Sequence, residues 1–220
     1  MDLGAFLIDK IKKKRNINLF LSGGKSPLKY YKKLSQSDVN FKKTNLFIVD
    51  ERNTKKKFFS NFFNVCKSLK DNKELLSKIY PLNLRNYKKI FDLPKIIKLK
   101  KYYTISILGM GEDGHFASIF RNSKKFDDLV NLKEKPKYIL TEPIGNPFMR
   151  RITMNLSAIM LSNKIILILN SKKKVKLFKK IMNKNNTVIY PIYYLLKKAK
   201  NKMIICEKDK FKRLSLYKKI

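Results

Sequence analysis

Residues Ile165 to Leu169 are five aliphatic side chains in succession. A run this short, apolar throughout and rich in isoleucine, reads as a buried strand. Ile17 to Leu21, Leu46 to Val49 and Thr104 to Leu108 repeat the pattern, and Tyr138 to Thr141, Ile152 to Leu156 and Met203 to Cys206 extend it. Helix-like segments separate these runs: Leu28 to Leu34, Ser60-Asn61 through Leu69, Asn83 to Leu93, a turn at Ser157 to Leu161, Lys172 to Met182 and Pro191 to Lys197. Such alternation predicts an α/β fold, a Rossmann-like three-layer sandwich with a mostly parallel sheet. No repeat or low-complexity linker divides the 220 residues, so one domain over residues 1–220 is the simplest account.

Composition narrows the function classes. No apolar run approaches the length of a membrane span. The segment from Met1 to Lys14 places its short apolar patch, Gly4 to Ile8, ahead of its lysines, which is not the order of a secretory signal. Cys66 and Cys206 lack metal-ligand spacing and read as free thiols in a reducing cytoplasm. The net charge of +36 would suit a polyanion partner. Yet only seven of the 52 cations are arginine, and the lysines are scattered through nearly every segment. Lysine, isoleucine and asparagine all have AT-rich codons, so genome composition accounts for the charge without a specific nucleic-acid or membrane partner. Dispersed lysine still helps capture an anionic small substrate.

Three constellations carry chemistry. Ser22-Gly23-Gly24-Lys25-Ser26-Pro27 follows a strand and opens a helix. Its glycines expose backbone N–H groups and the helix start adds partial positive charge, which suits phosphate. Ser26 is a suitable N-cap, with Pro27 at the first helical position. Asp50-Glu51-Arg52 ends the next strand, where ligands bind in open α/β sheets. An arginine there can grip phosphate, and the two acids can orient it or another cation. The third is Gly109-Met110-Gly111-Glu112-Asp113-Gly114-His115, with three glycines in six positions and the only histidine of the chain. An imidazole beside a helix start is biased towards its neutral, proton-accepting form. Arg151, before a strand, and Lys174, near the start of a basic helix, are further candidates.

Read in this order, the motifs resemble the 6-phosphogluconolactonase family. Its Ser-Gly-Gly-Ser-Thr-Pro loop matches Ser22 to Pro27, with Lys25 where serine is usual. Its Asp-Glu-Arg motif and downstream Ser-Asn match Asp50-Glu51-Arg52 and Ser60-Asn61. Its long histidine signature, Leu-Gly-Met-Gly-x-Asp-Gly-His-x-Ala-Ser-Leu-Phe, matches Leu108 through Phe120 almost throughout. Its Arg-Ile-Thr strand matches Arg151-Ile152-Thr153, and its Gly-x-x-Lys helix start corresponds to Ser171 to Lys174, with Lys173 a competing alignment. Thr104 stands where the family usually has aspartate.

The resemblance implies a fold similar to the sugar-phosphate isomerases and hydrolysis of 6-phospho-D-glucono-1,5-lactone, with no cofactor and no metal. It implies His115 as general base with Asp113 orienting it. Ser22, Gly23, Gly24, Lys25, Ser26, Arg52, Arg151 and Lys174 would hold the substrate, supported by Asp50, Glu51, Gly109, Gly111 and Gly114. The expected protein is a monomeric cytoplasmic enzyme. The competing readings are a glucosamine-6-phosphate deaminase or isomerase and a basic nucleic-acid-binding protein. The deaminases continue differently after the histidine turn, and Ala117-Ser118-Ile119-Phe120 favours the lactonase.

Overall fold

The computed structural model describes residues 2–91, 101–183, 190–199, 201–207 and 209–214. Its larger sheet contains β1 (Ile17–Leu21), β2 (Thr44–Ile48), β4 (Ile79–Tyr80), β5 (Tyr103–Gly109), β8 (Lys164–Leu169), β9 (Met203–Glu207) and β10 (Lys210–Arg213), in the order β10-β9-β8-β5-β1-β2-β4. All neighbours pair in parallel except β9 and β10. β1 is buried at all five positions and β8 at Ile165 to Leu169, so both faces of the sheet centre are covered. Burying an isoleucine or leucine contributes roughly 1.5–3 kcal/mol, and that term holds these non-alternating strands inside.

Three uncharged polar side chains of the sheet, Asn18, Asn45 and Thr104, are paired across strands. Asn18 on β1 donates to Thr104 Oγ1 on β5 at 3.2 Å and accepts from Asn45 on β2 at 3.1 Å. Thr104, with its hydroxyl in place of a carboxylate, therefore has a partner without adding a buried charge.

Helices α1 (Leu3–Lys13), α2 (Leu28–Ser35) and α3 (Asn61–Ser68) pack against one another in sequence. α1 starts where Asp2 accepts the N–H of Ala5 at 2.8 Å, and it buries Leu3, Phe6, Leu7 and Ile11. This helix is not among those expected from the sequence. The remaining helices are α4 (Lys73–Ser77), α5 (Phe126–Val130), α6 (Leu156–Ile159), α7 (Lys172–Asn183) and α8 (Pro191–Lys198).

A second, antiparallel sheet of β3 (Asp50–Arg52), β7 (Arg151–Met154) and β6 (Tyr138–Leu140) leaves the main one at Val49. The Val49 N–H bonds Leu21 O at 2.9 Å and its carbonyl accepts from Met154 at 2.9 Å, so one residue belongs to both layers' edges.

Several expectations need correction. The helix expected over Asn83 to Leu93 is only a single 3₁₀ turn, Tyr87–Lys89, among the described residues; residues 92 and 93 lie outside them. The strand expected over Ile152 to Leu156 spans Arg151–Met154, and Leu156 belongs to the following helix. The cause is Asn155, whose side chain accepts the N–H of Ala158 at 3.0 Å and so starts α6 early. Ser26 does not cap α2. Pro27 occupies the cap position, its carbonyl accepting from Tyr30 and Tyr31, and no side chain bonds the helix start. Finally, no helix follows His115. The backbone there closes through the bridges Met110↔Phe116 and Phe116↔Ile119, so the argument from a helix dipole does not apply to this imidazole.

Candidate active site

The chain runs from β1 to β2 to β4 in one direction, then returns to place β5 on the other side of β1 and continues through β8 and β9. The direction reverses between β1 and β5, and a crevice beyond the carboxyl ends of the strands is expected there. A pocket of about 350 Å³ occupies that place. Ser22, Gly24, Lys25 and Ser26 line it after β1, Gly109 at the end of β5, and Gly111 and His115 just beyond it. Lys174 lines it from α7, and Asp50, Arg52 and Arg151 come from the smaller sheet. Gly23, Glu51, Asp113 and Gly114 are not among the lining residues.

Two of those four act from behind. A Cβ on Gly23 would lie 2.4 Å from Asn61 Cα and 2.5 Å from Asn61 O, so only glycine lets the loop after β1 close onto the start of α3. Glu51 is buried and receives four bonds: the N–H groups of Arg52, Asn61 and Phe62 and the Ser60 hydroxyl, at 2.6–2.9 Å. Burial pushes its carboxyl above the ordinary value against those four donors. Glu51 thus fixes the amino end of α3 and does not hold the Arg52 guanidinium.

The arginines are placed by register. Arg52 on β3 is the direct partner of Arg151 on β7. Two like charges opposite one another are unfavourable in an antiparallel pair. Burial lowers the Arg151 pKa, Arg52 lowers it further, and Asp50 opposes both. Arg151 donates from Nε to Ile144 O and from Nη2 to Pro147 O, each at 3.0 Å. Arg52 donates from Nη1 to Phe59 O at 2.9 Å and to Asn61 Oδ1 at 3.0 Å, while its Nε is buried without a partner. An orphaned cationic donor beside a second arginine suits an anionic ligand.

Asp50 is the buried carboxylate of the pocket and accepts from the Ser118 hydroxyl at 2.6 Å. Lys174 is half-buried and Lys173 exposed. Burial lowers the Lys174 pKa and nearby Glu112 raises it. Ser171, the departure from glycine before this lysine, accepts the Lys174 N–H at 3.3 Å and so starts α7.

His115 Nδ1 lies 2.5 Å from Asp113 Oδ1, and the His115 N–H donates to the same oxygen at 3.2 Å. With Nδ1–H donating to the carboxylate, Nε2 carries the free lone pair. Burial raises the Asp113 carboxyl, but the imidazole and backbone N–H groups together hold it below the ordinary carboxylate range. An imidazole in this tautomer can accept a proton from water, and the carboxylate stabilises the imidazolium formed.

Asn61, Asn170, Met110, Ala117 and Pro27 also line the pocket and were not assigned to it from sequence. Asn61 was legible as part of the Ser-Asn pair; Asn170 carried only its position after a strand. Among the described residues no group of three or more His, Cys, Asp or Glu side chains is arranged to hold a metal, and no helix is long and apolar enough to cross a membrane. Both cysteines are free thiols.

Known proteins similar to this chain share its family profile and its fold. The profile described as "Glucosamine-6-phosphate isomerases/6-phosphogluconolactonase" matches residues 2–205. A 6-phosphogluconolactonase of Helicobacter pylori is 28% identical over 200 residues, covering 89% of this chain and 85% of that protein. Among solved structures, a 6-phosphogluconolactonase from Shewanella baltica superposes with a TM-score of 0.74 at 23% identity, covering 93% of this chain and 89% of the other. A monomeric glucosamine-6-phosphate deaminase superposes with a TM-score of 0.68 at 16% identity, covering 94% and 91%. At these identities the two structures share the fold with this chain, and the fold does not separate the two reactions.

Proposed function

The chain belongs to the glucosamine-6-phosphate isomerase/6-phosphogluconolactonase family, and from that membership we propose that it is a monomeric, single-domain, cytoplasmic 6-phosphogluconolactonase. One observation carries the reading: the imidazole held by Asp113 shares a pocket with Arg52, Arg151, Lys25 and Lys174. The substrate phosphate sits on the Ser22-to-Ser26 loop, where Arg52 Nε supplies the unused buried donor and Lys174 a second cation. Gly24 and Gly109 line the pocket, and a Cβ on either would meet no protein atom within 4 Å, which leaves that space to the ligand.

Water attacks the lactone carbonyl as His115 Nε2 takes its proton. The tetrahedral intermediate then collapses, breaking the bond to the ring oxygen, which receives that proton from the imidazolium. Asp113 holds the imidazole through both charge states. Arg151, fixed by two carbonyls, keeps its remaining N–H groups for sugar hydroxyls or the developing oxyanion. The product is 6-phosphogluconate, formed with no cofactor or metal.

A lactonase assay corrected for spontaneous ring opening tests the proposal. His115→Ala should lower turnover on the order of a hundredfold, and Arg52→Ala should chiefly raise KM. Unchanged turnover in the first would remove the general-base role, and unchanged KM in the second the phosphate assignment. Release of ammonia from glucosamine 6-phosphate, without acid release from the lactone, would favour the deaminase reading.

A further inference from the structure

We propose that Phe120 is a positioning residue for the His115 imidazole. Its ring stacks on the imidazole, with centroids 4.2 Å apart and planes inclined by 27°. The bond to Asp113 fixes Nδ1 but leaves the imidazole free to swing about that contact. A ring against one face removes that freedom, so the two contacts together define where Nε2 points.

Phe120 can serve as a fixed surface because it is itself held. It is buried, and Gly145 leaves the space its ring fills: a Cβ there would lie 2.7 Å from Phe120 Cζ. The Arg151 guanidinium stands 5.3 Å from the ring centroid and is anchored to Ile144 O and Pro147 O. The backbone between histidine and phenylalanine is shaped to return the chain over itself. Ala117 adopts φ +50°, a conformation that residues with a Cβ rarely take. Its neighbour Ser118 is pinned on both sides, by its hydroxyl to Asp50 and by its N–H to Thr153 Oγ1 at 3.2 Å. The loop between β6 and β7 thus bears on the imidazole through Gly145 and the Phe120 ring.

The ring also presents its π face to the imidazolium that forms when His115 takes a proton, a favourable arrangement for a cation. The kinetic part of this inference rests on the proposed lactonase activity; the packing part does not.

The test compares Phe120→Leu with Phe120→Met, both apolar and close in volume. Tyrosine is unsuitable, because its hydroxyl would be driven from Cζ into Gly145. Turnover should fall roughly tenfold with KM within about twofold, the pattern of a misaligned proton acceptor. His115 is the only histidine, so its ring C–H resonances identify themselves in an NMR spectrum. They should lie upfield in the native protein and move downfield when the aromatic ring is removed. If Phe120→Leu does not fold, Phe120→Met supplies both readouts. A folded variant that keeps native turnover, or imidazole resonances that do not move, overturns the proposal. Should the native protein not hydrolyse the lactone, the functional reading fails, and the imidazole resonances alone decide whether Phe120 fixes the ring.

Discussion

Gly111 is where the catalytic reading is most exposed to refutation. A Cβ built on it would lie 2.1 Å from His115 Nδ1, 2.2 Å from His115 Cε1 and 2.5 Å from Asp113 Oδ1. Ordinary contact between non-bonded carbons begins at about 3.5 Å, so Gly111→Ala must push the imidazole away by more than ~1 Å. The backbone resists that movement, because the Gly111 N–H bonds His115 O at 2.8 Å. The side chains can yield: they are 30% and 59% exposed for His115 and Asp113, so both can swing towards solvent. A displacement of this size at a proton-transferring group costs on the order of a hundredfold in rate, or about 2.7 kcal/mol of activation free energy. Stability should barely change, since no core atom is displaced; a loss under ~1 kcal/mol corresponds to less than about 4 °C in Tm for a chain of this length. The measurement is turnover at saturating lactone, paired with a thermal melt of the same preparation. Turnover within threefold of native would show that the His115–Asp113 geometry is not the reacting one. A large drop in Tm alongside the lost activity would mean that Gly111 supports the fold and not the dyad.

Two neighbouring glycines should separate fold from ligand. Gly23→Ala forces overlap with the Asn61 backbone and should cost about 1–3 kcal/mol, read as a lowered Tm. Gly24→Ala meets nothing within 4 Å but lines the pocket, so Tm should hold while KM rises; the opposite pattern would count against the phosphate loop. The Asp113 carboxyl, with its ordinary value of 3.8, is shifted downward in the fold by His115 and backbone N–H groups against the effect of burial. A depressed folded pKa contributes stability above the unfolded value and loses it as pH falls through the folded one. The Tm difference between native and Asp113→Asn should therefore shrink as pH falls below ~3.8. A difference that stays unchanged through that range would contradict the assignment.

How much of this was legible depends on the range of the interaction. Ile17 to Leu21 and Ile165 to Leu169 announce themselves as strands because continuous aliphatic character is local, and the structure extends the second by only one residue, Lys164. The order of the Ser22, Asp50 and His115 motifs likewise lies in the chain itself, and it suffices to place them at strand ends. Local patterns misled where a nearby polar group set the boundary, as Asn155 does for α6, or where glycine-rich backbone closed into bridges instead of a helix, as after His115. Arg52 is marked by its place at a strand end, but no local signal singles out Arg151 and Lys174 among 52 cations. Their meeting follows from the β3–β7 register and from the reversal of winding between β1 and β5. The same holds for Asn170, for Glu51 capping α3, and for the ring of Phe120 lying on the imidazole. Side-chain pattern alone determined which segments are buried and which motifs carry chemistry. Pairing between residues distant in the chain, settled only when the sheets close, decided which charges share a pocket and which way the histidine faces.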